Sequence, residues 1–384
     1  MMGSASGTIR RWGASLSLVL IVTLGSARGD VTTERSSSIL IFPKVLFDSS
    51  GFQTNGPVDT IIQISNVSNS LVFAKCFYVN AAPLDPTSPP GVFNPTQWQE
   101  VDFEISLTKQ QPTHWLVSTG RRFDPTDNKP CKVDCSNAGF DPGGAGPGGL
   151  IPPVSDPFTG ELKCIEIDSS GAPISGNHLK GEATLVTPDG DASKYNAIGV
   201  IGLTNSNDSN FTLCLGGGVS DRCPNGPEYN GCPQTVIVNH FADHASDPVI
   251  NELGNGPSSV RTELTLVPCS EDFENQTPPA VTVQFLLTNE FEELFSTSTS
   301  VTCWGDFFLS DISPIFEASF LATRFAQTRM TPGGDEQSGF VGIAEEFHHQ
   351  PRPVPGGLTS RAALNLHVEG ARPLNDIILV PEPQ

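Results

Sequence analysis

Charge is scarce in this chain: 16% of its 384 residues are Asp, Glu, Lys or Arg, against roughly 25% in an average soluble domain. Cations are the scarcer sign, 21 Lys and Arg against 42 Asp and Glu, for a net charge of −21. An acidic surface repels polyanions, so no nucleic acid or anionic membrane partner is expected. No apolar run of membrane length follows residue 30, and a span needs roughly 20 residues. Helical periodicity is nearly missing; only Ile312 to Gln327 could hold a short helix. Signatures of catalysis are missing too, with no Gly-x-Ser-x-Gly elbow and no His-Glu-x-x-His. Gly144-x-Gly146-x-x-Gly149 spells a dinucleotide fingerprint, but Pro147 spoils the strand-turn-helix geometry that phosphate binding requires. No cofactor is expected.

What the chain does have is turn formers and β-formers. Its 37 Gly and 33 Pro punctuate the sequence, and 23 Phe are too many for a disordered polymer. Val101, Phe103, Ile105 and Leu107 alternate with polar residues, as do Val281, Val283, Phe285 and Leu287; period two is the mark of a half-buried antiparallel strand. Further β-rich runs recur between turn signals such as Asn55-Gly56-Pro57 and Asp189-Gly190-Asp191. Many short strands so bracketed predict an all-β sandwich.

The N-terminus reads as a secretory signal. Arg10 and Arg11 precede the apolar run Leu16 to Leu24, and small residues at Gly25 and Ala27 follow. Residues 1–29 hold the expected signal peptide, with cleavage after Ala27 or Gly29 so that the product begins at Arg28 or Asp30, and the product is expected to be secreted, periplasmic or extracellular.

The two ends of the chain resemble each other in order. Ile39-Leu-Ile-Phe-Pro43 matches Leu264-Thr-Leu-Val-Pro268, Thr60 to Ile64 matches Val281 to Phe285, and Cys76-Phe77 matches Cys303-Trp304. Phe158-Thr-Gly160 matches Phe340-Val-Gly342, and Tyr195 to Ile198 matches Leu374 to Ile377. The expectation is two tandem immunoglobulin-like β-sandwich domains with long loops: residues 36–204, a Cys-, Gly- and Asn-rich connector 205–257, and residues 258–384. Gln63-x-x-Asn66, Cys76-Phe77, Phe158-x-Gly160 and Asn177-His-Leu-Lys-Gly-Glu-Ala183 together resemble uncharacterised secreted bacterial proteins built from tandem immunoglobulin-like sandwiches. That resemblance implies a fold and a compartment and carries over no catalytic residue.

Nine cysteines in an exported chain read as disulfides, and an odd number leaves at least one unpaired. The expected pairs are Cys269 with Cys303, Cys223 with Cys232, Cys131 with Cys135, and Cys76 with Cys164, leaving Cys214 over. His240 and His244 are weak metal candidates, because histidines four apart converge only on a helix; Glu345, Glu346, His348 and His349 could complete such a site. Asp189, Asp191, Asp124 and Asp127 could offer oxygens to Ca²⁺, although Asp-Gly is also a hairpin turn. Trp98 and Trp115 lie beside hydrogen-bonding side chains, as on a sugar-stacking face. The functional expectation is an exported, non-enzymatic interaction or structural protein whose partner is a protein or glycan. The alternative is a secreted carbohydrate-binding protein or hydrolase.

Overall fold

The structure, a computed structural model, describes residues 31–54, 56–85, 87, 95–121, 123–124, 129–130, 151–203, 210–247, 258–334, 338–350 and 358–383. The expected signal segment, Cys131, Cys135 and the Gly144 to Gly149 run lie outside the described residues.

Strands dominate among the described residues, in five sheets of three to five strands. The first sheet has the order β11 (Ile198–Val200), β1 (Ile39–Phe47), β8 (Phe158–Ile167), β3 (Val72–Asn80), β4 (Gln99–Leu107). The second has β10 (Ala192–Asn196), β9 (Leu179–Val186), β2 (Asp59–Asn66), β5 (Pro112–Leu116). The third has β12 (Thr212–Leu215), β24 (Asp376–Leu379), β16 (Glu271–Asp272). The fourth has β18 (Leu294–Thr302), β17 (Ala280–Asn289), β20 (Phe325–Gly333), β13 (Pro233–Phe241), β23 (His367–Ala371). The fifth has β14 (Ala245–Ser246), β15 (Ser259–Pro268), β21 (Phe340–Gln350), β22 (Leu358–Asn365), with β19 (Gly305–Phe308) paired to β15. A short ladder joins β6 (Phe123–Asp124) to β7 (Lys129–Pro130). Two single helical turns, α1 (Leu309–Ile312) and α2 (Ala318–Leu321), flank a 3₁₀ turn at Pro314–Phe316. The helical stretch expected to reach Gln327 ends earlier, because Ala322 turns left-handed at φ 55°.

Alternation explains which way the strands face. Val281, Val283, Phe285 and Leu287 are all buried, in the cluster between the fourth and fifth sheets. Strand β1 is buried on both sides: Leu40 and Phe42 join the cluster between the first two sheets, whereas Ile39 and Ile41 face a third cluster. A continuous apolar run is how such a doubly buried strand reads.

The expectation of two tandem immunoglobulin-like sandwiches is corrected by this sheet layout. The third cluster takes Ile39, Phe77 and Ile165 from the first half and Val267, Phe273 and Val341 from the second, so the halves share interior. The third sheet crosses the expected boundary, since it joins β12 of the expected connector to β24 and β16 of the second half. Nor is 205–257 a mere connector. Its strand β13 is held by β20 on one side and β23 on the other.

Disulfides staple this interior. Cys76 and Cys164 are direct neighbours on β3 and β8 and are bonded as expected. The other expected pairs among the described residues are corrected: Cys214 bonds Cys223, and Cys232 bonds Cys269, while Cys303 is a buried free thiol. The reason is local. Cys214 and Cys223 lie on the two arms of one tight loop, and Cys232 leads into β13 beside the end of β15. The Phe-x-Gly motif has a steric cause: a Cβ on Gly160 or Gly342 would come within 1.9 or 2.2 Å of the carbonyl oxygens of Val79 and Thr265. Among the described residues no helix is long and apolar enough to cross a membrane.

Candidate functional site

The densest polar chemistry lies on the seam between the halves, and a β-bulge creates it. The register of β1 on β8 shifts between Phe42 and Val45, so Pro43-Lys44 is set out of the ladder. A bulge re-aims the side chains it carries. Lys44 leaves the first sheet and enters the second half, with its main chain clamped by Tyr195: Lys44 N donates to Tyr195 Oη at 3.2 Å and Tyr195 Oη donates to Lys44 O at 2.5 Å. Trp304 Nε1 donates to the Pro43 carbonyl at 2.8 Å and fixes the bulge from the other side.

Lys44 Nζ meets only carboxylates there. It donates to Glu263 on β15, lies 3.2 Å from Asp306 Oδ2 on β19 and lies 3.3 Å from Glu345 Oε2 on β21. The lysine side chain is 1% exposed. Burial alone would strip its proton, but Asp306, Glu263 and Glu345 outweigh burial and the pKa is raised. Asp306 Oδ1 accepts from Thr265 Oγ1 at 2.6 Å, and Glu345 Oε1 accepts from Ser193 Oγ at 2.5 Å. Glu345 Oε2 makes no well-angled hydrogen bond, so its contact with Lys44 is an ion pair by distance alone. Burial, with the Asp306 charge beside it, pushes the Glu263 carboxyl up to about 7.

A second buried cation stands 119 residues further along, at Lys163 on β8 (163 − 44). Its Nζ donates to Glu161 Oε1 at 2.9 Å, Glu271 Oε2 at 2.6 Å and the Pro268 carbonyl at 3.3 Å. Desolvation raises the Glu161 carboxyl to about 8 despite Lys163, and burial likewise lifts Glu100 to about 8. Cys303 adjoins this cluster, and burial raises its thiol pKa far above the ordinary range. The thiolate, the reactive form, is suppressed there.

The structure separates the two histidine candidates. His240 is buried on β13 with both ring nitrogens engaged, Nδ1 on Phe241 O at 2.8 Å and Nε2 on Thr328 Oγ1 at 2.9 Å. His244 lies on the exposed turn after it at φ 62°. Of the residues that could have completed a site, Glu345 belongs to the Lys44 cluster. His348 places Nδ1 2.7 Å from Asp247 Oδ2, and its Nε2 is 3.6 Å from Glu346. Trp115 is buried, with Nε1 donating to Tyr78 Oη at 2.6 Å, and Trp98 packs against the third cluster. Asp189-Gly190-Asp191 is the β9–β10 turn, closed by Gly190 N donating to Thr187 O at 3.0 Å. Lysine inside an apolar run, as in Ile-Phe-Pro-Lys-Val-Leu and Glu-Leu-Lys-Cys-Ile, was the signal for both charge clusters.

Two surface features accompany the seam. A groove of about 770 Å³ runs past Val219, Arg222, Glu271, Asp272, Asn375 and Leu379. At one end of the fourth sheet an apolar rim stands in solvent: Phe291 is 67% exposed, Leu294 65% and Phe320 51%. The rim is tied down. Asn289 Nδ2 donates to Leu321 O at 3.1 Å, Arg324 N donates to Glu290 Oε2 at 3.2 Å, and the Phe295 and Phe320 rings meet edge to face at 5.4 Å.

No family model matches the chain, and no curated protein matches it. Among solved structures, a chain of the cowpea mosaic virus top component, the naturally occurring empty particle, aligns over 94% of this chain and 98% of its own at 10% identity. The TM-score is 0.16, so the alignment carries no argument about fold or function.

Proposed function

We propose that this chain is an exported, non-enzymatic interaction or structural protein that docks a partner protein through the rim of the fourth sheet. The observation that carries this reading is the exposed apolar rim at Phe291, Leu294 and Phe320, held in place by the Asn289 and Arg324 contacts. Solvated apolar side chains gathered on a rigid edge are the usual mark of a contact surface. The three disulfides among the described residues fit an oxidising compartment. The test places a photo-crosslinking amino acid at position 291 or 320 of the exported protein on its producing cells. Position 219, also exposed, serves as the control. Crosslinks to one protein from 291 and 320 but not from 219 are expected, and should vanish in a Leu294→Ser background. Retention on a glycan array, or turnover of a hydrolase substrate panel, with no rim-specific crosslink would overturn the reading in favour of the carbohydrate-directed alternative.

A further inference from the structure

We infer that Lys44 and Glu263 condense, once the chain has folded, into an intramolecular isopeptide bond that fastens β1 of the first half to β15 of the second. The argument starts from surroundings. Among the described residues, Lys44 Nζ has no main-chain carbonyl to hold it; every charged or polar group against it is a carboxylate, from Glu263, Asp306 and Glu345. Lys163 provides the contrast, since one of its three contacts is the Pro268 main-chain carbonyl, an acceptor with no hydroxyl to lose.

The three carboxylates are not equivalent. Asp306 is oriented by Thr265 Oγ1, and Glu345 by Ser193 Oγ. Glu263 accepts from Lys44 alone among the described side-chain contacts, so it is the carboxyl free to change hybridisation. Asp306 and Glu345, each within 3.3 Å of Nζ, are placed to carry protons. The Glu263 carboxyl, held up to about 7, is partly in the protonated form that can lose its hydroxyl near neutral pH.

The step balances without an oxidant or a co-reactant. The Lys44 ammonium gives one proton to Asp306 or Glu345, and the freed lone pair attacks Cδ of Glu263. An N–C bond forms and the C–O bond to the hydroxyl breaks. Nζ sheds a second proton as it becomes an amide nitrogen, the departing hydroxyl takes up that proton and leaves as water, and the first proton stays on Asp306 or Glu345. Ammonium plus carboxylic acid thus become amide, one water and one proton held on the neighbouring carboxylate. Glu263 and Asp306 both line a cavity of about 480 Å³, which gives the water an exit. In dilute solution an acid and an amine do not condense, but two groups fixed in contact enjoy effective molarities of about 10⁵–10⁸ M. The raised pKa of Lys44 keeps the amine fraction small. That slows a reaction that needs to happen only once per molecule.

The test is mass spectrometry of the folded, exported chain after reduction and denaturation. The intact mass should be lower by one water than the sequence of the mature chain requires. Trypsin should fail after Lys44 and release a branched peptide joining residues 36–75 to residues 262–324 through Lys44 and Glu263. Lys44→Arg, which keeps the charge, should restore the full mass. Glu263→Gln should still yield the branched peptide, now with loss of ammonia, because the same amide results. A wild-type chain with native circular dichroism, full mass and complete cleavage after Lys44 would overturn the inference. So would a branch ending at Asp306 or Glu345, or one at Lys163 in place of Lys44.

Discussion

At His240 the hydrogen bonds define a neutral tautomer: Nδ1 donates to the Phe241 carbonyl, which leaves Nε2 to accept from Thr328 Oγ1. Burial lowers the pKa to about 4, below the unfolded value of about 6.5. The unfolded chain therefore takes up a proton that the native one refuses as pH falls from about 6.5 to about 4. Stability contributed by neutral His240 is complete above that window and lost through it, by about 3 kcal/mol in all. The measurement is urea unfolding at several pH values, comparing wild type with His240→Gln. Subtracting the two removes carboxyl titrations such as that of Glu161, whose raised pKa acts in the opposite sense. A difference that stays flat between pH 6.5 and 4 would show that His240 titrates normally in the native state.

The strands illustrate what neighbouring residues can and cannot encode. Alternation placed Val281, Val283, Phe285 and Leu287 inward, and Phe103, Ile105 and Leu107 as well. Val101 is 38% exposed because β4 is an edge strand, and sheet position is not written in the strand itself. Cys76 with Cys164 was reached only as the pair left over by elimination, and Cys232 with Cys269 not at all, because each depends on which strands lie side by side. The bulge that aims Lys44 is likewise a property of the β1–β8 pair. The two bridges differ in the chain they enclose, with sequence separations of 88 for Cys76–Cys164 and 9 for Cys214–Cys223. On chain entropy the longer loop contributes about 4–5 kcal/mol and the shorter about 2–3. Replacing both cysteines of a pair by Ala should therefore lower the melting temperature more for Cys76/Cys164. The reverse order would point to native-state strain rather than loop closure as the governing effect.

At the scale of the molecule, shared interior decides how it unfolds. A fragment of residues 258–384 would leave β20 without β13, β24 without β12 and Cys269 without Cys232. It would also leave Glu263, Asp306 and Glu345 facing one another with no cation. The fragment should show neither a cooperative melt nor dispersed amide signals, whereas the whole described body should melt in one transition. A folded fragment would mean the shared cluster is dispensable. None of this sharing was readable from the two similar ends, because similarity reports what each half contains and not what lies between them. Salt acts differently on Lys163, 0% exposed against Glu161 and Glu271, and on the protein's surface. The Debye length shrinks to about 3 Å at 1 M salt, and ions cannot follow this lysine into the interior. The acidic exterior, part of a net −21, is open to counterions, and screening relieves its self-repulsion. Added sodium chloride should leave the attractive pairs intact while quieting the repulsive surface, so the urea midpoint should climb as salt rises, and a falling midpoint would contradict it. On that reasoning the chain should unfold less readily in a concentrated electrolyte than in fresh water.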